Sequence, residues 1–140
     1  MSVTIDEQYV RDHFRLLCTH DVPAFYACIS PTVHWRIMGS MDLSGDYYSL
    51  DEYMSTAFRP VSARLEGHMM LTLTHCLVSG RRAAVEMEVD VDSVKQKNGQ
   101  PLPNTHCWIC EYDDNGVIGS IRMYIDELLM QQVITNNPGP

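Results

Sequence analysis

The stretch NTHCWICEYDDNGVIGSIRMYID, residues 104–126, decides the fold. Two runs rich in β-branched and aromatic residues flank Asp113-Asp114-Asn115-Gly116. Runs of this kind around a turn cluster read as a β-hairpin, with Gly116 suited to the positive φ that such turns require. If Asp114-Asn115 is the centre of a type I turn and Gly116 a bulge residue, Asp113 pairs with Val117, Ile109 with Ile121 and Cys107 with Met123. Alternation then puts Thr105, Cys107, Ile109 and Glu111 on one face with Ile121, Met123 and Ile125. The other face carries His106, Trp108, Cys110 and Tyr112 with Ser120, Arg122, Tyr124 and Asp126. The more apolar face of the second strand is the natural lining of a pocket. This turns Ile121, Met123, Ile125, Cys107 and Glu111 inward, although Glu111 lies beside the turn. The opposite face is expected against another sheet or a second subunit.

Upstream of the hairpin the period stays at two. Leu65 to Val78 alternates with threonines, and Ala83 to Asp92 alternates acids with aliphatics. Ser79-Gly80 and Asn98-Gly99 supply turns. Further upstream the spacing becomes helical. Thr4 and Glu7 fit a capping box that opens a first helix with Ile5, Tyr9, His13, Phe14 and Leu17 on one face. A second short helix starts at Asp21, with Pro23 in its first turn, and ends at Pro31. Thr32 to Met38 reads as a strand. Ser49 and Glu52 open a third helix that stops before Pro60. A last helix is expected from about Glu127 to Ile134, and Asn136 to Pro140 as a frayed tail. Helices grouped at one end and a meander at the other indicate an α+β fold with helices on one sheet face.

The 140 residues make one domain, 1–140, with no internal repeat or linker. Apolar residues are 45% and charged residues 20%, a globular profile. The net charge of −8, with lysine only at 95 and 97, repels phosphate backbones and anionic membranes. No run approaches the roughly 20 apolar residues of a membrane helix. Five cysteines, and Asp6 and Glu7 where a secretory signal would be apolar, lead us to expect reduced thiols in a cytoplasmic protein. Cys107 and Cys110 have CxxC spacing, but on a strand their sulfurs point to opposite faces, so neither a metal nor a cofactor is expected. Nine methionines suit a pocket for a bulky apolar ligand as well as ordinary core packing.

The segments FYACISPTVHWRIMG (25–39), SGDYYSLDEY (44–53) and the hairpin above, with Arg122, Tyr124 and Asp126 near its end, resemble the SnoaL-like branch of the nuclear transport factor 2-like superfamily. The resemblance covers essentially the whole chain. It implies a cone-shaped, strongly curved and mostly antiparallel sheet which, with N-terminal helices, encloses an apolar pocket, often in a homodimer. It also implies a small-molecule substrate. The activity expected is that of an isomerase or cyclase of natural-product biosynthesis, working by acid-base catalysis without a cofactor. An epoxide hydrolase or dehydratase and a non-catalytic ligand-binding or dimerisation module are the alternatives.

Alternation alone sends Glu86, Glu88, Asp90 and Asp92 to solvent and Val85, Met87, Val89 and Val91 to the core. The resemblance favours the reverse for one of the acids, since limonene epoxide hydrolases carry a pocket Asp on this strand. Glu88 or Asp90 is then the candidate general acid, its pKa raised by an apolar cavity. By the same resemblance His34 and Arg36, which share a face with Met38, point into the cavity. There Arg36 would steady a developing oxyanion and His34 would shuttle a proton. Tyr47 or Tyr48 from the loop, and His68, are candidates for reaching the substrate. Met123 stands where the epoxide hydrolases carry an Asp, which weakens that alternative.

Overall fold

The computed structural model describes residues 2–19 and 21–139. Helix α1 (Glu7–Arg15) is capped by Asp6, whose side chain accepts from the Tyr9 N–H at 2.8 Å. Asp6 thus takes the position the capping-box pattern gave to Thr4, because it lies one residue before the helical turn and its carboxylate suits the positive helix end. Helix α2 (Val22–Ala27) begins as the sequence predicts, with Asp21 as cap and Pro23 in its first turn. Strand β1 (Ile29–Ile37) starts before Pro31, which lies near the strand's beginning, where a missing N–H is tolerated. A short β2 (Gly45–Tyr47) follows.

Ser49 caps α3 (Leu50–Tyr53), accepting from the Glu52 N–H at 3.0 Å. The helix does not stop before Pro60. It passes through a π-helical turn (Met54–Phe58) and continues as α4 (Arg59–Ser62). In that turn the Arg59 N–H bonds to the Met54 carbonyl, five residues back. A proline ring normally collides with the carbonyl four residues before it, and the widened turn gives Pro60 the room it needs.

The remaining strands are β3 (Leu65–Gly67), β4 (Leu71–Ser79), β5 (Arg82–Val89), β6 (Val94–Gln96), β7 (Thr105–Tyr112) and β8 (Ile118–Ile125). The main sheet is an open six-stranded one in the order β2-β1-β8-β7-β5-β4, and β3 pairs with β6 in a small second sheet. Every pairing between these strands is antiparallel except β1 with β8. The run expected as one strand from Leu65 to Val78 breaks at residues 68–70, after Gly67 turns the chain with φ +93°. Helix α5 (Glu127–Asn136) is capped by Asp126. The expected tail is in fact pinned at Asn137, which is buried and bonds to Gln96 and to the Asn98 N–H.

The deciding hairpin differs from its predicted register by one residue. The turn is as expected: the Asp113 N–H donates to the Val117 carbonyl at 2.8 Å, and Gly116 has φ +78°. Tyr112 then pairs with Ile118, but Glu111 pairs with Ser120. Gly119 is the extra residue, a β-bulge, and beyond it Cys110 faces Ile121, Trp108 faces Met123 and His106 faces Ile125. A one-residue slip exchanges the two faces of a strand. The inner face of β7 is therefore His106, Trp108, Cys110 and Tyr112, all buried, while Cys107, Ile109 and Glu111 lie on the outer face. The inner faces of β1, β8, β7 and β5 join the helices in one core containing Trp35, Ile121, Trp108 and Val85, each at most 3% exposed.

Candidate active site

A narrow apolar chamber of about 90 Å³ lies between the sheet and the helices. Its floor is Ile37 of β1, His106 and Trp108 of β7, and Met123 and Ile125 of β8. Its wall is the helix that holds Tyr53, Ala57, Phe58 and Val61, with Tyr26 of α2 beside it. Met41, Met69, Met123 and Met130 line it too, so four of the nine methionines serve this cavity. A second space of about 250 Å³ shares Val22, Phe58, Val61 and Met69 with the chamber and has Gly67 and His68 on its border.

Three polar side chains reach the chamber. His106 is 8% exposed, and its Nδ1 lies 3.1 Å from the indole Nε1 of Trp108, while its Nε2 has no partner among the described residues. Burial pushes the imidazole pKa down to about 4, so His106 is neutral near pH 7. Tyr26 and Tyr53 bring phenol groups to the lining, whereas the hydroxyl of Tyr47 is committed to the Leu43 carbonyl, to which it donates at 2.7 Å. Burial raises the pKa of both phenols, and for Tyr53 the neighbouring Tyr26 and Tyr47 raise it further. The Tyr53 ring stacks on Trp35 with centroids 3.6 Å apart, which fixes its direction. The site is thus an apolar hollow holding hydrogen-bond donors and no formal charge.

The charged residues expected in the cavity lie elsewhere. Glu88 is exposed on the outer face of β5, opposite Thr72 and Thr105. Asp90 is exposed beyond the strand end, where it accepts from the Asp92 N–H at 3.0 Å. Arg36 is exposed on the outer face of β1, 3.9 Å from Asp46. His34 is beside it, its Nε2 2.8 Å from the same Asp46 and its ring stacked on Tyr48. Glu111, which β7 turns outward, pairs with Arg82 at 2.8 Å, and Cys107 is half-buried on the same outer side. Alternation placed these acids outside, and solvation of the carboxylates keeps them there.

Of the remaining candidates, Met123 and Ile125 line the chamber, and Ile121 is fully buried in the core beneath it. Met38 is half-buried, and its N–H donates to the Met123 carbonyl. Tyr47 is buried against Tyr53, edge to face at 6.0 Å, outside the chamber lining. His68 is exposed at the border of the outer space. His106, Tyr26 and Tyr53 were not among the candidates. One signal for His106 was in the sequence: an isolated glycine within a strand pattern marks a bulge, and placing one at Gly119 turns His106 inward. Among the described residues no three His, Cys, Asp or Glu side chains come together in the manner of a metal site, and no helix is long and apolar enough to cross a membrane.

No protein-family model matches the chain, and no curated protein matches it in sequence. Solved structures do match in shape. An NTF2-like protein from Burkholderia thailandensis superposes with a TM-score of 0.73 at 24% identity, over 91% of this chain and 95% of that one. TerC, co-crystallised with polyporic acid, superposes with a TM-score of 0.68 at 17% identity, over 91% of this chain and 96% of its own. A protein assigned as an isomerase from Rhodopseudomonas palustris gives 0.65 at 14% identity, over 96% and 100%. At these identities the likeness is one of fold, and the chain has the nuclear transport factor 2-like fold.

Proposed function

We propose that this chain is an isomerase or cyclase of the SnoaL-like branch. It acts on an uncharged, polycyclic small molecule of natural-product type (a meroterpenoid, polyketide or alkaloid) held across the apolar chamber and the adjoining space that shares Val22, Phe58, Val61 and Met69 with it. The observation that carries this reading is the neutral His106, which lines that chamber and whose Nε2 has no partner among the described residues. A buried polar atom left without a partner costs about 1–3 kcal/mol, and a ligand oxygen beside it removes that cost. The same contact polarises a substrate carbonyl. As electrons shift towards that oxygen during the rearrangement, a neutral imidazole or phenol donor stabilises the negative charge that grows on it in an apolar site. Tyr26 and Tyr53 are further donors for such an oxygen. The oxyanion-steadying part assigned by resemblance to Arg36 passes to these three groups. The proteins of like fold support the reading: one is assigned as an isomerase, and another was co-crystallised with polyporic acid.

The test is turnover of a polycyclic β,γ-unsaturated ketone, followed by the absorbance of the conjugated enone. The expected result is conversion by the wild type and, in His106→Phe, a loss of kcat on the order of 100-fold, the usual effect of removing one oxyanion donor. Undiminished turnover in the variant would remove His106 from the mechanism.

The reading includes a homodimer through the outer sheet face and a cytoplasmic location, where five thiols stay reduced. Arg36 and Arg122 stand on one side of β7 and Glu86 and Glu88 on the other. A two-fold axis near β7 would set the arginines of one copy against the glutamates of the next. Sedimentation should show a dimer that Glu88→Arg weakens. A wild-type monomer at micromolar concentration would end this part of the reading.

A further inference from the structure

His106 and Trp108 are two residues apart on β7 and so share its inner face. An indole N–H donates and never accepts. Since Trp108 Nε1 lies 3.1 Å from His106 Nδ1, that nitrogen must present its lone pair. A neutral imidazole carries a single N–H, so the hydrogen is on Nε2, the atom without a partner. The indole is itself held. Phe14, Phe25 and Trp35 pack against it at tilted or edge-on angles, with centroids 5.8, 6.1 and 5.3 Å away. Trp108 is 3% exposed, so its N–H has no solvent to turn to. The other polar side chains of the chamber lining, Tyr26 and Tyr53, are phenols, which adapt as donor or acceptor and do not dictate a tautomer.

We propose that Trp108 is a positioning residue that locks His106 in the Nε2–H tautomer, so that the chamber selects a ligand presenting an acceptor oxygen, as in a ketone or quinone, over one of the same shape presenting an N–H donor. The selectivity rests on the chamber being the ligand site, as proposed above; the tautomer does not. Without the indole, the imidazole hydrogen is free to move to Nδ1, and Nε2 becomes an acceptor that welcomes a donor ligand.

The experiment has two arms. In the first, ¹⁵N NMR of ligand-free protein reads the two His106 nitrogens near pH 7. The wild type should show Nδ1 as the pyridine type and Nε2 as the pyrrole type. Trp108→Phe should give averaged signals from both tautomers. A protonated Nδ1 in the wild type overturns the lock, and this reading stands even if Trp108→Phe does not fold. In the second arm, 9-fluorenone and carbazole, tricycles of nearly the same shape with a carbonyl and an N–H at the same position, are titrated into the protein. Wild type should prefer fluorenone by on the order of tenfold, the weight of one buried hydrogen bond, and Trp108→Phe should bring the ratio towards one. Equal binding of the two by wild type overturns the selectivity. Binding of neither tricycle, with the expected tautomer in the first arm, overturns the chamber as ligand site and leaves the lock supported.

Discussion

The two faces of the main sheet are built on opposite electrical plans. The outer face turns its charged groups to water, two pairs among them, Arg36 with Asp46 and Arg82 with Glu111, and sets the imidazoles of His34 and His75 beside Asp46 and Glu86. The inner face has no formal charge among the described residues, yet it holds buried polar atoms without a partner there, Nε2 of His106 and Nε1 of Trp35. A solvated ion pair is nearly neutral in free energy, whereas an unpartnered N–H in an apolar wall is a cost that a ligand oxygen can remove. The difference teaches where to look for chemistry. Charge marks the surface here, and the neutral side is the one that holds the proposed ligand site.

The largest test of this contrast is Trp35→Ala. Trp35 is fully buried and stacked on Tyr53, and truncation should cost about 3–5 kcal/mol in urea denaturation. A loss below about 1 kcal/mol would mean that the inner face does not carry the stability assigned to it. Next comes pH. Unfolded His106 titrates near 6.5 and the folded residue near 4, so between these values the unfolded chain binds more protons. Stability contributed by the neutral folded form is therefore complete above about pH 6.5 and is lost as pH falls towards 4, by roughly 3 kcal/mol. Buried His13 acts in the same direction. In His106→Phe this slope should flatten, leaving mainly the part that His13 supplies; an unchanged slope would show that His106 is not kept neutral by burial. The smallest effect belongs to the outer face. Arg82→Ala breaks the pair with Glu111 and should cost only about 0.5 kcal/mol, with no change in ligand affinity of the chamber. A loss of several kcal/mol there would erase the distinction between the faces.

Much of the fold was legible in local sequence. The hairpin turn at Asp113 to Gly116, the helix caps at Asp21 and Ser49, and the acid–aliphatic alternation of β5 follow from short-range chemistry, and each is present. The candidate site was less legible, for two physical reasons. The facing of β7 depends on a single inserted residue, and Gly119 tells of the bulge only if its place in the strand is taken as a break in pairing. The state of His106 depends on Trp108 and on helices far away in sequence, and no spacing along the strand encodes that burial. The resemblance also misled the placement of Glu88, Asp90, Arg36 and His34, because it carries over positions without carrying over the neighbours that would make a charge tolerable inside. For the acids of β5 the plain alternation was the better guide.

The π-helical turn at Met54–Phe58 has an effect on how such a cavity can be remodelled. Deleting one residue from it would restore the ordinary ladder and rotate every later side chain of that helix by about 100° about its axis. Phe58 and Val61, which border both the chamber and the space beside it, would swing away while the sheet stayed in place. Pro60 would then lose its room, so the deletion is workable only together with replacement of that proline. The breadth of the hollow is thus adjustable by counting residues in a single helical turn, a coarse dial that leaves His106 and Trp108 untouched.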